Sequence, residues 1–150
     1  MDQKRAQLIK DIFEDMIRIR RKMADQRNCA PVDCRIPPAQ GIVLYILAGH
    51  GSLSIKEVAE MMWVSGSAAT QLVDSLVNSG LLTRETDEND RRTVKISLTD
   101  KGKNQVKKLK KFHLENISQL LEPLSEQELE SFRDLQRKIR PTLSSEATKN

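Results

Sequence analysis

Residues 87–102 read DENDRRTVKISLTDKG, and the reading of this stretch decides the fold. Val94, Ile96 and Leu98 alternate with Lys95 and Ser97, the period-two pattern of a half-buried strand. Leu81 and Leu82 upstream offer a partner strand, so Glu85 to Arg92 becomes the tip of a hairpin. That tip carries Asp90, Arg91 and Arg92 on an extended loop, where charge stays in solvent. Thr99 then caps a lysine-rich helix. A hairpin with arginine at its tip, set among helices, reads as a wing that approaches nucleic acid.

The residues before the hairpin supply the helices such a wing needs. Ser54 is a good N-cap, and Glu57 three residues later completes a capping box. The helix it starts turns Ile55, Val58, Ala59 and Met62 inward, and a tight turn follows at Met62 to Val64. Ser65 caps the next helix, which puts Ala69, Leu72, Val73 and Leu76 on one face and ends at Asn78, Ser79 and Gly80. Further upstream, Pro37 and Pro38 fit the first turn of a helix that runs through Val43, Leu44, Ile46 and Leu47 to Gly49–Gly51. Two short helices joined by a brief turn and followed by a hairpin describe a winged helix-turn-helix.

Long amphipathic segments flank this module. Leu8, Ile9, Ile12, Phe13, Met16, Ile19 and Met23 recur at three- and four-residue steps, ahead of a loop at 28–36. After Thr99, Val106, Leu109, Phe112, Ile117, Leu120 and Leu121 mark another apolar stripe, interrupted by Pro123. Ser125 and Glu128 form a second capping box, and Leu129, Phe132, Leu135 and Ile139 mark a last helix ending before Pro141, with a frayed tail beyond. The small central module cannot cover such stripes, so they are expected to pack on each other and on a second copy of the chain. The fold class expected is mainly α with a small β-hairpin wing. A single domain spans 1–150, with the winged helix-turn-helix at 36–100 and dimerisation helices at 3–27 and 101–143.

Composition narrows the function. Twenty-five basic against 21 acidic residues give a net charge of +4, mildly basic and compatible with nucleic acid. No stretch approaches the roughly 20 apolar residues of a membrane span. Acidic residues interleave the apolar ones at the N-terminus, unlike a signal peptide, so a cytoplasmic protein is expected. No glycine-rich phosphate loop, nucleophile–base set or paired carboxylates point to an enzyme. The histidine and cysteine spacing matches no zinc pattern, and no cofactor is implied.

The order of parts resembles the MarR family of bacterial and archaeal transcription regulators over nearly the full chain. The match is carried by IPPAQGIVLYIL at 36–47, VAEMMWVSGSAATQLVDSLVNSGLLTR at 58–84 and DRRTVKISLTDKG at 90–102. The last fits the family's Asp-x-Arg, five residues, Leu-Thr signature, with Asp90, Arg92, Leu98 and Thr99 in place. The resemblance implies a triangular homodimer joined by its terminal helices, on a pseudo-palindromic DNA site. It implies a recognition helix in the major groove and the wing arginine in the minor groove. It also implies, for many members, repression relieved by a small anionic or phenolic effector, and in some the sensing of oxidants or metals. Three departures stand out. Trp63 occupies a turn position where the family often has Gly, Gly66 stands where Arg is frequent, and no Lys or Arg lies between Ser65 and Ser79.

On this reading Arg92 is the minor-groove residue, its planar fork oriented by Asp90 through a charge-assisted bond. Arg91, Arg84 and Lys95 are phosphate neighbours that position without reading sequence. Base recognition rests on Ser67, Thr70 and Gln71, while Ser65 is both cap and phosphate contact. Of the lysines at 101, 103, 107, 108, 110 and 111, only the first lie near the wing and hence near DNA, and the remainder form a solvated face. Arg18, Arg20 and Tyr45 are candidates for an effector pocket, against the plainer reading of surface arginines and a core tyrosine. Cys29 and Cys34, five apart near Arg27 and Arg35, allow a reversible disulfide switch, against the plainer reading of reduced thiols. His113 beside Phe112 reads as a partly exposed helix residue. Two other functions stand beside the DNA-binding regulator: a winged-helix interaction module without a DNA target, and a cysteine-based redox sensor.

Overall fold

The helix signals of the central module form where capping chemistry places them. The computed structural model describes residues 2–28, 30–87, 89–90 and 92–144. Its elements in chain order are α1 (Gln3–Asn28), a single 3-10 turn (Val32–Cys34), α2 (Pro38–His50), β1 (Ser52–Ser54), α3 (Ile55–Met62) and α4 (Gly66–Asn78). They continue with β2 (Leu82–Thr86), β3 (Val94–Leu98), α5 (Asp100–Leu121) and α6 (Glu126–Ser144). Mainly helical with a small antiparallel sheet, this is the winged helix-turn-helix class the sequence implied.

At α3 the Ser54 hydroxyl accepts from the Glu57 N–H at 3.2 Å, and the Glu57 carboxylate accepts from the Ser54 N–H at 2.7 Å. The two bonds satisfy donors that a helix start leaves open. Pro37 is the N-cap of α2 and Pro38 its first residue, one position later than expected for Pro37.

The sheet has the order β1-β3-β2, all antiparallel. Its third strand, β1, went unread in the sequence because three residues carry no alternation. Ser52–Ser54 pairs with Ser97–Lys95 and then turns directly into α3. The wing strands also run further than expected: Leu82 faces Leu98 and Thr86 faces Val94, so the tip is confined to 87–93. Of the alternating residues of β3, Ile96 is fully buried, Leu98 half-buried and Val94 exposed beside the tip.

The chain divides into two compact units, residues 1–113 and 114–150. In the first, Val43, Leu44 and Leu47 of α2, Val58 of α3, and Val73 and Leu76 of α4 pack with Leu81, Leu82, Ile96, Val106 and Leu109 as one core. Each fully buried aliphatic side chain contributes about 1.5–3 kcal/mol over its exposed state. Along α1, by contrast, Leu8, Ile9, Ile12, Phe13 and Met16 lie exposed, Phe13 at 61%.

In the second unit, Leu114, Ile117, Phe132 and Leu135 are exposed. The α6 helix begins with the expected Ser125–Glu128 box but continues through Pro141 to Ser144 instead of stopping before the proline. Proline removes one backbone donor and crowds the preceding turn, which bends a helix without always ending it. No helix among the described residues is long and apolar enough to cross a membrane.

Candidate nucleic-acid interface

Ser65 opens α4 in extended geometry, its hydroxyl accepting from the Ala68 N–H at 3.2 Å and lying 3.0 Å from the Ser67 hydroxyl. The Thr70 hydroxyl donates to the Gly66 carbonyl at 2.8 Å. That bond uses its one proton and leaves oxygen lone pairs and a methyl group to face outward. Ser67 and Gln71 are exposed and Thr70 half-buried, while Ala69, Val73 and Leu76 are buried on the opposite face. The polar residues singled out in the sequence therefore share one face. It carries hydroxyls and an amide and no cation of its own.

The wing tip is closed by two aspartates. Asp87 accepts the Asn89 N–H at 2.8 Å, and its own N–H donates to the Thr93 carbonyl at 2.9 Å. Asp90 accepts the backbone N–H of Arg92 at 3.0 Å with one carboxylate oxygen and the Thr93 hydroxyl at 3.0 Å with the other. Asp90 thus orients Arg92 by holding its backbone in the turn, where a bond to the guanidinium was expected. Arg92 itself is exposed. Arg91 lies outside the described residues.

The two strand cations each have a carboxylate partner within the fold. Arg84 on β2 donates from its guanidinium to Asp74 on α4. Lys95 on β3 lies 3.3 Å from the Glu57 carboxylate. The Ser54 N–H first, then the Ser54 hydroxyl and Lys95, hold Glu57 below the usual carboxylate range. Both cations therefore join the wing to the helix pair, one to the recognition helix and one to the helix before it. Asp74 carries no motif, and nothing in its sequence context marked it.

Thr99 fastens the root of the wing. Its hydroxyl donates toward the carbonyls of Gly80, at 2.6 Å, and Leu81, at 3.2 Å, and accepts the Gly102 N–H at 3.0 Å. A Cβ on Gly102 would overlap the Leu81 carbonyl, so glycine is required for α5 to approach this closely. Two lysines of the α5 run also bind locally. Lys101 donates to the Ser79 carbonyl at 2.7 Å, at the negative end of α4, and Lys108 pairs with Asp33 at 2.8 Å. The Lys108 contact lowers the Asp33 pKa and raises that of Lys108.

Arg18 is spent on its own helix, 2.9 Å from Asp15 and 3.9 Å from Glu14. Arg20 is exposed on α1. Tyr45 is half-buried, its hydroxyl 2.7 Å from His113 Nδ1. Burial, then Cys34, raises the Tyr45 pKa; burial, then the charge of Arg27, lowers that of His113. His113 is accordingly a packed partner of Tyr45. A cavity of about 500 Å³ at the end of α1 is lined by Ala24, Arg27, Cys34, Arg35, Ile36, Pro37 and Pro38, and includes none of the three effector candidates. Cys34 is a half-buried free thiol there; Cys29 lies outside the described residues. Among the described residues no cluster of three His, Cys, Asp or Glu offers a metal site.

Known proteins share this fold. The MarR family pattern matches residues 36–93. The chain is 31% identical over 105 residues to the HTH-type transcriptional regulator YwhA of Bacillus subtilis, a match covering 70% of this chain and 73% of YwhA. It is 45% identical over 67 residues to the HTH-type transcriptional repressor MdtR of the same organism. That match spans 45% of this chain and only 43% of MdtR. A MarR family protein from Bacillus stearothermophilus superposes with a TM-score of 0.81 at 24% identity, over 96% of this chain and 98% of the other.

Proposed function

Because the chain belongs to the MarR family of DNA-binding transcription regulators, we propose that it acts as a homodimeric, sequence-specific repressor on a pseudo-palindromic duplex. The observation that carries this reading is the joint between wing and recognition helix. Arg84 and Asp74 join β2 to α4, whose exposed face carries the hydroxyls and the amide, and at the tip of the same hairpin Asp90 pins the backbone of Arg92. Ser67, Thr70 and Gln71 read base edges in the major groove, and Arg92 enters the minor groove. Ser65 and Arg91 meet phosphates, and Arg84 and Lys95 offer phosphate the donors that their carboxylate partners leave over.

Two copies join through the exposed α1 stripe and the apolar residues of α5 and α6. Their symmetry sets half-sites about one helical turn apart, roughly 10 bp centre to centre. A small anionic or phenolic effector, held beside Arg27 and Arg35 in the cavity at the end of α1, alters the spacing or mobility of the recognition helices. The repressor role is also that of MdtR, which is 45% identical over 67 residues.

Selection of bound DNA from a random pool at near-physiological salt tests the proposal. Enrichment of an inverted repeat is the expected result. Binding without a motif would contradict sequence specificity. Failure to recover any DNA would favour the interaction-module alternative, which the cation-free α4 fits.

A further inference from the structure

Two helices of the module end in the same turn, built from different residues. At the end of α4 the Leu81 N–H donates to the Leu76 carbonyl and the Gly80 N–H to the Val77 carbonyl, both at 2.9 Å, with Gly80 at φ 75°. At the end of α3 the Val64 N–H donates to the Ala59 carbonyl at 3.1 Å and the Trp63 N–H to the Glu60 carbonyl at 3.3 Å, with Trp63 at φ 57°. This paired bonding is the Schellman motif, whose left-handed position glycine usually fills. Trp63 is the only non-glycine residue with positive φ among the described residues. A bulky side chain there carries a steric cost that glycine escapes.

Folding does not account for the ring. Trp63 is 74% exposed, so little burial offsets the backbone cost. Met61 and Val64 nearby are exposed as well, while Met62, directly before it, packs against the core. Strain that stability does not explain points toward function. The position is informative: Trp63 stands two residues before Ser65, the cap of a recognition helix that has no lysine or arginine.

We propose that Trp63 is a contact to the DNA backbone, resting on the reading of this chain as a DNA-binding regulator. The ring face lies against deoxyribose at the edge of the groove that receives the start of α4, and the indole N–H donates to a phosphate oxygen. The occupant follows from continuity with the proposed interface, since Val64 alone separates Trp63 from Ser65. It follows also from chemistry: the indole N–H only donates, and phosphate oxygens only accept. Such a contact positions the protein without reading sequence and without adding charge. It supplies, two residues before the Ser65 cap, a second backbone anchor at the start of a helix that has no cation of its own.

Trp63 is the sole tryptophan, so its emission reports the contact directly. The full chain is titrated with a mixed-sequence duplex at low salt, where backbone contacts dominate, while anisotropy of an end label on the DNA follows binding independently. The expected result is a change in Trp63 emission with the same midpoint as anisotropy, and severalfold less quenching by acrylamide in the complex. Trp63→Gly is expected to bind at least about tenfold more weakly, having lost both the ring contact and one hydrogen bond to a charged acceptor. Its salt slope is unchanged, and it melts no lower than the parent because glycine accepts the φ. Trp63→Phe, which keeps a ring without the donor, falls between.

Formation of the complex with emission and acrylamide quenching both unchanged would overturn the proposal and leave the functional reading intact. So would wild-type affinity in Trp63→Gly. Absence of binding to any duplex would overturn both.

Discussion

Arg84 in the first wing strand is held by Asp74 of the recognition helix, so the residue expected to meet phosphate is neutralised within the fold. The pair is more than a third exposed on both sides, at 38% and 47%, and is expected to contribute only about 0.2–1 kcal/mol to stability. Its importance lies in competition with DNA. Asp74→Ala releases the guanidinium for phosphate and removes a negative charge from α4. Affinity for random-sequence duplex should rise, and the slope of log K against log salt should steepen by about one. Melting temperature should move little. A variant that binds no more tightly than the parent would show that Arg84 does not face phosphate.

Gly102 carries the tightest steric requirement in the module. A methyl group there meets the Leu81 carbonyl, which also accepts the Thr99 N–H at 3.1 Å and lies 3.2 Å from the Thr99 hydroxyl. Backbone must shift, because no flexible side chain stands in the way. Gly102→Ala should therefore lower stability by about 1–3 kcal/mol in denaturant unfolding, despite the helix preference for alanine. Unchanged stability would mean that α5 can retreat from the wing root without cost.

His113 couples the fold to pH. Burial and then Arg27 depress its pKa below the ordinary imidazole value of 6.5. The unfolded chain therefore binds more protons than the folded chain between that value and the lower folded one. Stability from this group is fully present above pH 6.5 and is lost as pH falls through the folded pKa. The Tyr45 contact itself can survive, since a protonated Nδ1 donates to the hydroxyl oxygen. His113→Gln should flatten the fall in melting temperature below pH 6.5 relative to the parent. Parallel curves would place the acid sensitivity elsewhere.

Local chemistry was legible in the sequence, and tertiary pairing was not. Ser54 with Glu57, Ser65, and Ser125 with Glu128 act within three residues of themselves, so spacing alone revealed them. The hairpin was visible because Ile96 lies in an alternating run, whereas β1 is too short to alternate and is defined only by its pairing with β3. Arg84 and Lys95 looked like free cations because their partners, Asp74 on α4 and Glu57 on α3, belong to other elements. Asp90 was identified as the residue that orients Arg92, but the bond goes to the backbone, a distinction spacing cannot make. Trp63 stood out as a departure from glycine, and the turn accommodates it by entering the left-handed region.

The most direct test of the central claim compares the parent with Arg92→Ala on an enriched inverted-repeat duplex and on a scrambled one, across a range of salt. With Arg92 in the minor groove, its loss weakens binding to both, by about tenfold or more, and reduces the salt slope by about one per protomer with the dimer intact. Unchanged affinity and slope in Arg92→Ala would contradict that placement, and would leave the Asp90-pinned tip with no part in binding DNA.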